Sequence, residues 1–223
     1  MFQPPDRIRH EFDQIAPFSS DGWTHNNHYH PFLLKHLPPR IESALDVGCG
    51  VGTFSRLLAA RAERVVGLDL SPEMIRIARE RSTAFPNLEY ELADVLQTDL
   101  APASFDCIAS IATLHHMALD VVLPLLANAL KPGGTLLILD LYQAESTGDL
   151  LFGALGIPVG FVYGKLNHHE PDSEAARQAW EEHGSGDNYT RISDVRRVAR
   201  DLLPGAQIRK HVLWRYSLVW RKP

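Results

Sequence analysis

The sequence predicts an α/β protein in which a mostly parallel sheet is covered by helices on both faces. Three observations carry this prediction. From residue 42 onward, short β-branched or apolar runs alternate with longer helical patterns, the rhythm of strand–helix–strand units. A glycine-rich turn, "GCGVG" at 48–52, joins the first of those runs to the first helix. A continuous apolar run, "TLLILDLY" at 135–142, has no polar alternation and therefore reads as a strand buried on both faces.

Taken in order, residues 1–40 form a helical segment that the Pro-rich "HLPPR" (36–40) separates from the first strand. "SALDVG" (43–48) is that strand, "GTFSRLLAARA" (52–62) the helix after it, and "RVVGLDL" (64–70) the second strand. Ser71 followed by Pro72 is a strong helix start, a capping hydroxyl and then a residue whose missing N–H costs nothing at the first helical position. This helix carries Met74, Ile77 and Ala78 on one face and ends before Pro86. "LEYELAD" (88–94) and "FDCIASIA" (105–112) are the third and fourth strands. "VVLPLLANALK" (121–131) is a helix stopped by "PGG" at 132–134, and the buried fifth strand follows. Regular spacing ends there. Residues 143–190, with scattered Gly and Pro and an acidic helical piece "SEAARQAWEEH", read as an insertion over the ligand edge of the sheet. "SDVRRVARDLL" (193–203) restores a helix, and 206–222 supplies one or two last strands. The resulting division is an N-terminal segment (1–40), a core (41–142), an insertion (143–190) and a C-terminal completion (191–223).

Composition narrows the function classes. The chain has 223 residues, 45% of them hydrophobic and 22% charged, the balance of a globular domain able to bury a substantial core. No apolar run reaches the ~20 residues a membrane span needs, and "MFQPPDRIRHEFDQ" lacks the apolar centre of a secretory leader. Cys49 and Cys107 form no CxxC pair, so neither a disulfide framework nor a thiolate zinc site is expected. The expected setting is reducing and cytoplasmic. The net charge of −5 disfavours broad nucleic-acid binding. Residues 191–223 nevertheless hold seven Arg and two Lys against two Asp. These read as solvated faces of a helix and strands, with a rim that attracts an anionic substrate as the alternative.

The most informative stretch is "ALDVGCGVGTFSRLLA" (44–59). In open α/β sheets ligands bind beyond the carboxyl ends of the strands, and glycines in a strand-to-helix turn let the backbone approach them closely. Gly48, Gly50 and Gly52 follow G-x-G-x-G, and Thr53 stands where the dinucleotide fingerprint wants its third small residue. Asp69 ends the second strand, where a carboxylate can take both hydroxyls of a ribose. Asp94 ends the third and can accept adenine amino hydrogens, and Asp46, before the glycines, can hold an ammonium. Three acids and no Lys or Arg in the turn suit a ligand without phosphates.

"LDVGCGVG", "VVGLDLSPEMIRIARER", "ADVLQTDLAPASFDCIASIATLHHM" and "LKPGGTLLILDL" together resemble the class I S-adenosylmethionine-dependent methyltransferases, with the nearest likeness to the small-molecule, ubiquinone/menaquinone-methyltransferase-like branch. The resemblance covers roughly residues 42–142. It implies a Rossmann-like seven-stranded sheet with an antiparallel last strand. It also implies S-adenosyl-L-methionine as cofactor and S-adenosyl-L-homocysteine as product. Carried over by position, Gly48, Gly50 and Asp46 would meet the methionine moiety, with Cys49 and Gly52 in the same turn. Asp69 would hold the ribose, Leu70 would pack on the adenine with Met74 nearby, and Asp94 with Val95 would read the adenine edge. Ser110 would face the methionine end.

Methyl transfer from a sulfonium needs alignment, exclusion of water and removal of a proton where the nucleophile carries one. "LHHM" puts His115 and His116 at the end of the fourth strand, with His116 slightly preferred as the base. "THNNHYH" (24–30) holds three further histidines, but no regular element points His25, His28 and His30 at one ion, so no metal is expected. Asn27, His28, Tyr29 and His30 read instead as a lid over the cofactor mouth, the alternative being a plain helix start capped by Asn26 or Asn27. Leu151, Phe152, Leu155, Val159 and Phe161 of the insertion suggest either an apolar substrate wall or satellite core under a long loop. The expected reaction is direct displacement onto an O, N or activated C nucleophile of a small organic acceptor, without nucleic acid or stable membrane insertion. The rivals are an RNA- or protein-directed methyltransferase, an NAD(P)-dependent oxidoreductase and a non-catalytic adenosine-ligand binder. Oligomeric state has no linear signature here.

Overall fold

The computed structural model describes residues 3–154, 156, 158, 173–186 and 189–223. Seven strands form one sheet: β1 (Ile41–Val47), β2 (Ala62–Asp69), β3 (Leu88–Leu92), β4 (Phe105–Ile111), β5 (Leu130–Leu141), β6 (Gln207–His211) and β7 (Arg215–Arg221). Their order is β3-β2-β1-β4-β5-β7-β6. Only β7 runs against the rest, pairing antiparallel with both β5 and β6. This is the Rossmann-like, mostly parallel sheet with an antiparallel last strand that the sequence leads one to expect.

Central strands alternate between two cores. On β5, Leu136 and Ile138 point into one hydrophobic cluster, while Leu137 and Leu139 point into the other. Burial on both faces explains the unbroken apolar run. α5 (Leu119–Ala129) and α8 (Ile192–Leu202) cover the first face through Val122, Leu126, Val195 and Ala199. α2 (His30–Leu34), α3 (Thr53–Ala59) and α4 (Pro72–Arg81) cover the second through Leu33, Leu58 and Ile75. The Ser71 hydroxyl accepts the Met74 N–H at 3.0 Å, the predicted cap. α5 ends at Ala129, short of "PGG". Pro132 disfavours helical geometry before it, and the Lys222 ammonium donates to the Ala127 and Leu130 carbonyls at the helix end (2.8 and 2.7 Å).

Three further helices lie over the carboxyl edge of the sheet or beside it. α1 (Pro5–Ile15) starts on Pro5 with Asp6 in its first turn, favourable to the helix dipole, and packs against α4 and α7 (Glu174–Gly186). α6 (Thr147–Ala154) begins the insertion. Its Leu151 and Phe152 are solvent-facing rather than buried. Leu155, Val159 and Phe161 lie outside the described residues. No helix among the described residues is long and apolar enough to cross a membrane.

Candidate active site at the carboxyl edge of the sheet

β1 delivers its chain into a turn in which Gly48, Gly50 and Gly52 all have positive φ. At Gly48 (φ 70°) a Cβ would collide with the Thr113 side chain. At Gly52 (φ 78°), the residue preceding α3, it would collide with the Tyr90 hydroxyl. Leu68 O anchors the turn by accepting the N–H groups of Gly48 and Cys49 at 2.8 and 2.9 Å.

Each acid predicted at a strand end is placed by short contacts. Asp46 is 1% exposed, accepts the Ser55 hydroxyl at 2.6 Å, and has its carboxyl pushed up to about 7 by burial. Asp69 accepts Gly50 N–H at 2.8 Å and Ser71 N–H at 2.9 Å, so it ties the glycine turn to the start of α4. Burial again raises its carboxyl above the usual range. Asp94 folds onto Leu96 N–H and the Gln97 side chain at 2.9 and 2.8 Å. A carboxylate oxygen has two lone pairs, so all three acids keep acceptor capacity for a ligand.

One cavity of about 1180 Å³ joins these groups, lined by Asp46, Gly48, Cys49, Gly50, Asp69, Leu70, Met74, Asp94 and Val95. Two of the predicted cofactor-binding residues do not reach it. Ser110 is fully buried within β4 and donates to Val47 O at 3.0 Å, because successive strand residues point to opposite faces. Ile111 to Thr113 take its place at the cavity wall. Gly52 serves the turn and Tyr90 rather than the cavity.

The far side of the cavity is assembled from distant segments. A 3-10 turn, Leu114–His116, follows β4 and brings His115 and His116 to the wall. Asp140, near the end of β5, accepts the His115 backbone N–H at 2.9 Å and lies 2.6 Å from its Nδ1. This buried dyad fixes the ring and directs Nε2 away from the carboxylate. His183, from α7, pairs through Nδ1 with Glu11 of α1 at 3.0 Å. Phe12 of α1 packs edge-on against both His116 and His183. One ligand atom from each of His115, His116 and His183 falls within 4.8 Å of the others. Such a set has the donor chemistry for a transition metal, and no linear spacing could reveal it. From sequence, a metal is weighed at His25, His28 and His30, not at this set, whose third member lies 67 residues beyond the second.

The "THNNHYH" residues divide. Asn27 and His30 line the cavity, together with His25 and Asn26. His30 is packed against Phe54 (ring centroids 4.9 Å), and burial lowers it to about 4, so its ring is neutral at physiological pH. His28 and Tyr29 do not line the cavity. His28 packs edge-on against Tyr29, and the Tyr29 hydroxyl donates to Val212 O at 2.7 Å, holding the β6–β7 connection. The cap at this segment is Thr24, whose hydroxyl accepts Asn27 N–H at 3.0 Å, not either asparagine. From the insertion, Trp180, His183 and Tyr189 supply cavity wall, in place of Leu151 and Phe152. Asp140, His183, Trp214 and Arg215 went unpredicted. An acid near the end of an unbroken apolar strand was the one legible signal among them.

A family model described as a methyltransferase domain matches residues 45–138. An uncharacterized methyltransferase of Mycobacterium tuberculosis is 30% identical over 205 residues, 90% of this chain and 98% of that protein. This chain belongs to the class I S-adenosylmethionine-dependent methyltransferases. A ubiquinone biosynthesis O-methyltransferase of Xylella fastidiosa is 32% identical to this methyltransferase over 143 residues, 57% of each chain. Among solved structures, a Haloferax volcanii methyltransferase in complex with the Trm112 activator matches over 97% of both chains, with a TM-score of 0.67 and 20% identity, a likeness of fold. The cofactor is S-adenosyl-L-methionine. The donor set fits it: three carboxylates with acceptor capacity, as a ligand bearing an ammonium, ribose hydroxyls and an adenine amino group needs, and a glycine turn without a cation on the cavity wall.

Proposed function

We propose that this methyltransferase acts on a small organic acceptor, by direct displacement onto an O, N or activated C nucleophile. The observation that carries this reading is that the cavity continues beyond the proposed cofactor residues. There His115 and His116 share its wall with residues of α1, α7 and the β6–β7 connection. The bound cofactor supplies an electrophilic methyl group on a sulfonium. Asp46, Asp69 and Asp94, with the turn at Gly48 and Gly50 and with Leu70, Met74 and Val95, hold it. Residues 1–40, chiefly Asn27 and His30, serve as the lid, and Trp180 and Tyr189 of the insertion form the acceptor wall.

Where the acceptor loses a proton, His115 takes it at Nε2, with Asp140 steadying the imidazolium at Nδ1. The dyad favours His115 over His116, reversing the preference drawn from sequence. His116 instead shapes the wall with Phe12. A reducing, cytoplasmic setting fits two buried thiols, Cys49 and Cys107.

Incubation with methyl-labelled cofactor and separate pools of small metabolites, total RNA and total protein tests the proposal. Label in a small metabolite, lost in His115→Ala, is expected. Label confined to RNA or protein would overturn it and favour a macromolecule-directed enzyme.

A further inference from the structure

Arg215, the first residue of β7, is only 9% exposed, yet it lines the cavity. Its Nε donates to Asn26 Oδ1 at 2.6 Å and its Nη1 to Leu213 O at 3.1 Å. Both acceptors are neutral. Two bonds from a group with five N–H donors leave three unused. No ion pair among the described residues includes Arg215. Asp140, whose charge it feels, directs its oxygens to His115 and the Leu141 N–H. A buried guanidinium without a carboxylate is costly to the fold, and burial accordingly pulls its pKa down.

The chain before it is also strained. Leu213 (φ 63°) and Trp214 (φ 53°) are successive left-handed residues, a conformation that usually calls for asparagine or glycine. Both line the cavity, and the Tyr29 hydroxyl bonded to Val212 O clamps them there. Strain retained beside an unpaired buried charge points to a binding role.

Position assigns that role to the acceptor rather than the cofactor. Arg215 pairs with Leu141, next to Asp140 of the histidine dyad. The sheet runs β1-β4-β5-β7, so β7 is three strands from the Asp46–Gly48 end, about 14 Å at the usual strand spacing. Resting on the proposed small-molecule reading, we propose that the acceptor carries a carboxylate or phosphate group, bound by the Arg215 guanidinium beside the His115–Asp140 dyad. Arg215 is then a binding residue that fixes which face of the acceptor meets the methyl group.

The test titrates benzoate, phenyl phosphate and benzamide into the enzyme loaded with S-adenosylhomocysteine. At least one anion should bind about tenfold or more tighter than neutral benzamide, and the better of the two identifies carboxylate or phosphate. In Arg215→Gln the preference should vanish while S-adenosylhomocysteine affinity stays within about twofold; Arg215→Lys should retain part of it. Crystals of the loaded wild type soaked with the favoured anion should place it about 3 Å from the guanidinium, a readout independent of any variant's folding. Equal binding of anions and benzamide would overturn the proposal, as would a preference that survives Arg215→Gln. Loss of S-adenosylhomocysteine affinity in that variant would reassign Arg215 to the cofactor's carboxylate. Failure of the wild type to bind S-adenosylhomocysteine at all would instead strike the methyltransferase reading itself.

Discussion

The two halves of the cavity are built in different ways. The proposed cofactor half comes from the ends of three adjacent strands and the turns after them, within residues 46–95. The proposed acceptor half draws Phe12 from α1, His115 from a turn after β4, His183 from α7 and Arg215 from β7, with Asp140 of β5 behind His115. The first half is specified by local sequence and serves a fixed ligand. The second is specified by tertiary packing, and α1 reaches both halves, since Phe12 and Ile15 pack with Val51 and Met74.

That division sets the order of the predictions. The largest effect belongs to His115. His115→Ala should lower kcat by about 10²–10⁴-fold with S-adenosylhomocysteine affinity unchanged, and Asp140→Asn should give a smaller loss with a displaced pH–rate profile. Parity of His115→Ala with the wild type would remove the dyad from the mechanism. Asp69→Ala should weaken S-adenosylhomocysteine about a hundredfold, because it removes ligand bonds and also the acceptor that holds Gly50 and Ser71. An unchanged titration would refute that double role.

Asp46 gives a pH signature confined to the cofactor half. With its carboxyl near 7 in the free site, the form that binds an ammonium is the minority at pH 6 and the majority at pH 8. S-adenosylhomocysteine affinity should therefore rise about tenfold across that interval and then level off. The ligand-free fold should respond in the opposite sense. An acid whose folded pKa lies above its unfolded value stabilises the fold at low pH, and that stability is lost as pH rises through about 7. A flat affinity profile in the wild type, or a pH dependence that persists in Asp46→Asn, would contradict this.

Smaller effects test the acceptor half. Tyr29→Phe deletes the bond to Val212 O and should cost about 1 kcal/mol of stability, with acceptor KM raised more than cofactor Kd. Leu151→Ala, at an exposed position, should stay within about 0.5 kcal/mol of the wild type. A large loss there would mean that the insertion wall includes α6 after all.

This contrast also explains what could be read in advance. That the glycine turn, Asp46, Asp69 and Asp94 meet on one cavity was legible because a strand, a turn and a helix follow one another in the chain. Ser110 was misassigned because a one-residue shift along a strand reverses the face. His28 and Tyr29 were misplaced for a related reason: a 3-10 turn spanning Asn27–Tyr29 rotates them away from the cavity. The basic C-terminal region read as solvated surface, and Arg197 fits that, exposed and paired with Asp194. Arg215 does not, and nothing in "LWRYS" separates a buried arginine from a surface one. The histidine cluster needed α7 to fold against α1, a contact that joins Glu11 to His183 across 172 residues.

The central claim is that cofactor binding and acceptor activation are separable. Calorimetric titration of S-adenosylhomocysteine into the wild type, Asp69→Ala and His115→Ala, run beside NAD(H), tests it most directly. Equal affinity in the wild type and His115→Ala, a loss of about a hundredfold in Asp69→Ala, and no binding of NAD(H) are expected. Comparable binding of NAD(H), or S-adenosylhomocysteine affinity lost in His115→Ala, would contradict it.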